Sequence, residues 1–98
     1  MCLMPWNGLI GSPPSSYVLA LYAYAIALSK EIRVAKNYLK RLDDRAITKD
    51  DYKYWDTSSK SKSLSVEIAG YYVLTQLEIY NHYGVQESWP VVNWIVRQ

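Results

Sequence analysis

Twelve consecutive residues, Tyr17 to Leu28, carry no charge, and this run constrains the fold more than any other stretch. Its alternation of Ala with Leu, Tyr and Ile gives a helix that is apolar on every side. Such a helix belongs in an inner layer with neighbours on several sides. A strand is the rival reading, but the Ala residues favour helix. The run is shorter than the about 20 residues needed to cross a bilayer. Ser12-Pro13-Pro14 reads as its entrance, with Ser12 as N-cap and Pro13 in the first turn. Ser15 or Ser16 can cap instead.

Glu31 to Leu42 has a different pattern. Ile32, Ala35, Tyr38, Leu39 and Leu42 form one stripe, with Arg33, Lys36, Lys40, Arg41 and Asp43 elsewhere. This is an amphipathic outer helix. A break at Ser29-Lys30 would make the two segments a helical hairpin, although no Gly or Pro marks it. Thr48 to Ser65 is polar and reads as a loop. Tyr52, Tyr54 and Trp55 interrupt it, which predicts that the loop is pinned to the body of the domain; a ligand-stacking platform is the alternative. Lys60-Ser61-Lys62-Ser63 reads as solvated.

Val66 to Leu77 opens the next helix. Ser65 is the expected N-cap, Glu67 lies in the first turn, and Gly84 is the expected stop. Ile68, Ala69, Tyr72, Val73, Leu77 and Tyr80 form its apolar face. Ser88-Trp89-Pro90 begins a last helix with Val91, Trp94 and Ile95 turned inward. Met1 to Gly11 has no sustained period and lacks the basic and apolar regions of a signal peptide.

The 98 residues suffice for at most one small domain, and a composition half hydrophobic and one-fifth charged is globular. A net charge of +2, with acids and bases mixed, gives no argument for nucleic acid or an anionic membrane. Ten Tyr and four Trp stand against no Phe, so many aromatic tips need polar partners or an edge position. Cys2 is the one cysteine, which leaves no disulfide framework or thiolate metal site. His82 has no ligand-type residue at metal spacing. Neither Asp43-Asp44 nor Asp50-Asp51 shares a site by helical geometry. No phosphate loop, nucleophile elbow or metalloprotease motif occurs, and no autonomous active site, cofactor or metal is expected.

Three blocks carry a resemblance. Leu42 to Asp56, ending in Tyr-Trp-Asp, is one; Ser65-Val-Glu-Ile-Ala-Gly-Tyr-Tyr-Val-Leu is the second; Pro90-Val-Val-Asn-Trp-Ile-Val-Arg-Gln98 is the third. Over about Ser15 to Gln98 their order and spacing resemble the thioester domain of the alpha-macroglobulin and complement thioester-containing proteins. Trp55, Val66, Glu67, Tyr72, Leu77, Val92, Trp94 and Gln98 occupy the family's structural motif positions.

The resemblance implies an all-α fold, namely helical hairpins that are part of an alpha/alpha toroid. Residues 12–98 would be a partial thioester domain and residues 1–11 an unmatched segment. It also implies an extracellular parent that inhibits endopeptidases or opsonises microbial surfaces in innate immunity. The partners would be proteases, cell or microbial surfaces, and the parent's other domains. The family's Cys-Gly-Glu-Gln thioester segment is not in this sequence: Cys2 is followed by Leu3 and Met4, and His82 does not match the family's catalytic histidine. Two other readings stand beside it: a small helical protein–protein interaction module, and a piece of a toroidal isoprenoid-handling enzyme. The latter lacks acidic clusters for a metal-bound diphosphate.

Overall fold

The computed structural model describes residues 15–56, 61–81 and 83–98. The expectations for Met1 to Gly11, the Ser12-Pro13 entrance, Lys60 and His82 lie outside them.

The uncharged run forms helix α1, Ser16–Leu28, capped by Ser15, whose hydroxyl accepts from the Val18 N–H at 3.2 Å. Leu19, Ala20, Ala23 and Ala27 are fully buried and lie on one face at helical spacing. Small Ala side chains there let α1 lie against both of its neighbours, α2 (Ile32–Arg45) and α3 (Lys62–Tyr80). The opposite face is uncovered: Ala25 and Leu28 are exposed.

The break after α1 needs neither Gly nor Pro, because Lys30 itself takes φ 71°. The Lys30 N–H donates to Ala27 O at 3.0 Å and the Glu31 N–H to Ile26 O at 3.2 Å, satisfying carbonyls at the helix end. Helix α2 buries Ala35, Leu39 and Leu42, three members of the predicted stripe, and leaves its basic residues in solvent.

The stretch from Thr48 to Ser65 is not simply a loop. Ile47–Lys49 (β1) and Tyr52–Tyr54 (β2) pair antiparallel, Thr48 opposite Lys53, around an Asp50-Asp51 turn. Asp50 adopts φ 55°, which Asp tolerates better than most residues. Three-residue strands around a glycine-free turn give almost no period to read. The strand period of two then sorts the side chains: Lys53 points to α2 and α3, while Tyr52 and Tyr54 reach helix α5, Trp89–Val96.

Helix α3 starts earlier than the sequence suggests. Ser61 is its N-cap, accepting from the Leu64 N–H at 3.3 Å, and Ser65 is a buried residue of the helix interior. Glu67 therefore lies beyond the first turn. The buried face comprises Ser65, Ile68, Ala69, Tyr72, Thr75 and Gln76, so polar residues replace part of the expected apolar stripe. Val73 and Leu77 are half-buried, and Tyr80 is exposed. Thr75 satisfies its hydroxyl on Tyr71 O at 2.7 Å, inside its own helix.

The helix ends at Asn81, with φ 55°, and not at Gly84. Gly84 lies in the short helix α4, Tyr83–Glu87, pressed onto α3: a Cβ there would meet the Gln76 carbonyl oxygen at 2.5 Å. Its absent side chain permits that contact. Ser88 precedes α5 and is fully buried, donating to Gly84 O at 2.5 Å. Val91 is buried, and Trp94 and Ile95 are half-buried against the core. The fold is all-α with one small hairpin. No helix among the described residues is long and apolar enough to cross a membrane.

Candidate functional site

Trp55 is the junction of these elements. It follows β2, is fully buried, and packs among Leu19, Leu39, Leu42, Ile68, Ala69, Tyr72 and Val91. Its indole N–H donates to Leu42 O at 2.7 Å, using a carbonyl near the end of α2. The polar tip is satisfied and the ring fills the core, so it provides no ligand platform. The other two loop aromatics are also engaged: Tyr54 stacks on Trp94 at 5.3 Å and 7°, and Arg97 lies 5.4 Å from the centroid of the Tyr52 ring. Pinning of the loop, rather than stacking of a ligand, accounts for all three.

The Tyr72 ring sits 4.9 Å from Trp55, and its hydroxyl projects into a polar cluster. That hydroxyl donates to Asp43 Oδ1 at 2.8 Å and accepts from Gln76 Nε2 at 2.9 Å. Lys53 Nζ donates to it at 3.2 Å and pairs with the same Asp43 oxygen. Four elements converge there: α2 brings Asp43, β2 brings Lys53, and α3 brings Tyr72, Gln76 and Tyr80. Helix α4 adds Glu87, and the six residues line a cavity of about 240 Å³.

The electrostatics are mutually consistent. Burial and then the Asp43 carboxylate push the Tyr72 phenol above its ordinary range. Burial works against the Lys53 charge, but the hydrogen bond to Asp43 and the Tyr72 hydroxyl outweigh it, and the ammonium is held above its ordinary range. One acceptor is left over: Gln76 Oε1 is buried without a hydrogen-bond partner among the described residues.

Of the motif residues, Trp55 and Tyr72 are brought into contact and Trp94 lies one stack away, against Tyr54. Val66, Leu77 and Val92 are half-buried, Glu67 is exposed, and Gln98 donates to Trp94 O at 2.9 Å. Glu67 has a local effect: its carboxylate is the largest cause of a raised Tyr17 phenol pKa. Sequence reasoning missed Asp43, Lys53 and Gln76. The only signal available was the excess of Tyr over Phe, which implies polar partners for buried rings without naming them.

The arrangement ties α2, β2 and α3 together through Asp43, Lys53, Tyr72 and Gln76. Lys53 is committed to Asp43 and Tyr72, and among the described residues that line the cavity the ionisable groups are Asp43, Lys53, Tyr72, Tyr80 and Glu87. Among the described residues no group of three or more His, Cys, Asp or Glu could hold a metal ion.

Comparison with known proteins agrees with the three sequence blocks. The family model of the A-macroglobulin TED domain matches residues 11–98. The chain is 30% identical over 95 residues to ovostatin of Gallus gallus, an alignment covering 84% of this chain and 6% of that relative. The chain thus spans only a small part of the length of the relative it matches. With nearly all of its sequence under the family model, this chain belongs to the alpha-macroglobulin family as TED-domain sequence.

Proposed function

We propose that this chain is helical scaffold of a secreted thioester-bearing protein that inhibits endopeptidases or marks microbial surfaces. It supports the reactive bond without containing it. The observation carrying this reading is the match of residues 11–98 to the TED domain in a sequence that lacks Cys-Gly-Glu-Gln. The placement of α1 between α2 and α3, with its far side uncovered, suits a layer within an alpha/alpha toroid, where further helices would cover that side. In this reading proteases and surfaces are engaged by the parent, and the chain itself is not an enzyme.

Two measurements test the reading. Intact mass after incubation with methylamine should be unchanged, and a covalent adduct would contradict the scaffold role. Sequencing the transcript on either side should reveal an upstream Cys-Gly-Glu-Gln segment. A transcript closing around these codons without one would instead favour the independent interaction module.

A further inference from the structure

Helix α2 packs its apolar stripe against α1 and α3, and its other side carries an uneven set of charges. Arg33, Lys36 and Lys40 follow one another at three and four residues, so they share a face; Arg41 lies next to Lys40, two turns beyond Arg33. All four are exposed, and none has an ion-pair partner among the described residues. Of the two carboxylates in the helix, Asp43 is taken by Lys53 and the Tyr72 hydroxyl, which leaves Asp44 as the one free acid in α2. A net charge of +2 hides this stripe: without its four cations the chain would carry −2.

The stripe is more than the wet side of a helix. Like charges three and four residues apart repel, so Arg33 with Lys36, and Lys36 with Lys40, weaken α2 where an acid in the series would strengthen it. Two of the cations are also held by rings instead of carboxylates. Lys36 Nζ lies over the Tyr80 ring of α3, 5.3 Å from its centroid, and the Arg41 guanidinium lies over the Tyr38 ring at 5.4 Å. A ring positions a cation without neutralising it and leaves its N–H groups open to an outside acceptor.

A row of unneutralised donors along about 12 Å of helix fits a linear polyanion. Arg33 and Arg41 can each grip two oxygens of one anionic group, and the two Lys add point charges between them. Single-stranded nucleic acid is held by stacking on open rings, whereas Tyr38 and Tyr80 each have a cation over one face. A membrane-surface helix inserts its apolar face, whereas Ala35, Leu39 and Leu42 of α2 are buried in the protein. A sulfated sugar chain requires neither stacking nor insertion. We propose that the outer face of α2, through Arg33, Lys36, Lys40 and Arg41, binds a linear sulfated polysaccharide. This goes beyond the scaffold reading and does not depend on it, because neither the thioester nor the parent protein is needed for the binding.

The test is a titration of the isotopically labelled 98-residue chain with a heparin octasaccharide, followed by NMR and calorimetry. Saturable shifts centred on the α2 amides are expected, and raising the salt from about 0.05 to 0.2 M should weaken binding at least about tenfold. The same octasaccharide stripped of its sulfates should not bind. Lys36→Gln with Lys40→Gln, both exposed positions, should keep the helical circular dichroism and weaken binding about tenfold or more. Lys49→Gln with Lys62→Gln removes two exposed cations outside the stripe and should leave the affinity within about threefold. No saturable binding, or equal losses in the two double variants, would overturn the proposal. Tighter binding to a short single-stranded DNA or to phosphatidylserine vesicles than to the octasaccharide would overturn it as well.

Discussion

Trp55 and Trp89 carry the same side chain into opposite environments. Trp55 is fully buried, has its N–H satisfied, and belongs to one core cluster with residues from α1, α2, α3 and α5. Trp89 opens α5 with 54% of its surface exposed, at the edge of a shallow cavity beside the hairpin turn. Other large apolar side chains share its situation: Leu28, Leu74, Val85 and Val96 are all exposed. The described residues therefore divide into a hub around Trp55 and a set of exposed apolar side chains, the rim. Aromatic count alone does not separate the two. What separates them is whether the backbone brings several elements, and a carbonyl for the N–H, to one point.

The largest effect should come from removing the hub. Trp55→Ala should destabilise the chain by roughly 3–5 kcal/mol, measured by urea unfolding, while Trp89→Ala should stay within about 0.5 kcal/mol. Similar costs for the two would erase the distinction between hub and rim.

Next is the contact of α4 with α3. Gly84→Ala places a methyl against the Gln76 carbonyl oxygen, where backbone and not a flexible side chain must move. A loss of about 1–3 kcal/mol is expected, with perturbed resonances at Gln76 and Ser88. A neutral result would mean that α4 is loosely held and belongs with the rim.

The polar side of the hub should reveal itself at high pH. Tyr72 and Lys53 both have folded pKa values raised above their ordinary 10.0 and 10.5. The unfolded chain therefore releases these protons first as pH rises. The stability they provide is complete below about pH 10 and is lost as pH climbs through their folded values. Tyr72→Phe should cost about 1–3 kcal/mol at neutral pH, because it strands the Gln76 amide, and should flatten the alkaline fall in melting temperature relative to the unaltered chain. An unchanged alkaline slope would show that the other tyrosines dominate it.

The smallest effects on folding should come from the rim. Leu74→Ser and Trp89→Ser should change unfolding free energy by no more than about 0.5 kcal/mol, yet weaken self-association in sedimentation experiments. If the unaltered chain is monomeric at all concentrations, the rim is not a contact surface.

Much of the helical layout is readable in sequence because burial imposes a period. The uncharged run of α1, the stripe of α2, and Pro90 in the first turn of α5 each state a helix and its face. What the sequence leaves out is relational. Gly84 looks like a helix stop by type, whereas its role is set by a carbonyl that tertiary packing brings close. The hairpin of Ile47–Lys49 and Tyr52–Tyr54 is too short for alternation to register, yet it aims Lys53 at Asp43 and Tyr72. Gln76 looks like a solvent residue on an amphipathic helix, and it is buried because α4 folds back over it. Trp55 stood out as an aromatic in a polar stretch; its acceptor, Leu42 O, is a backbone atom and no side-chain pattern reports it.

The four indole N–H groups allow the hub to be tested against the rim in a single spectrum. Hydrogen–deuterium exchange of the labelled chain should leave the Trp55 indole proton protected long after that of Trp89 has vanished, with Trp94, half-buried in its stack on Tyr54, in between. Exchange at Trp55 as fast as at Trp89 would contradict a core closed around it.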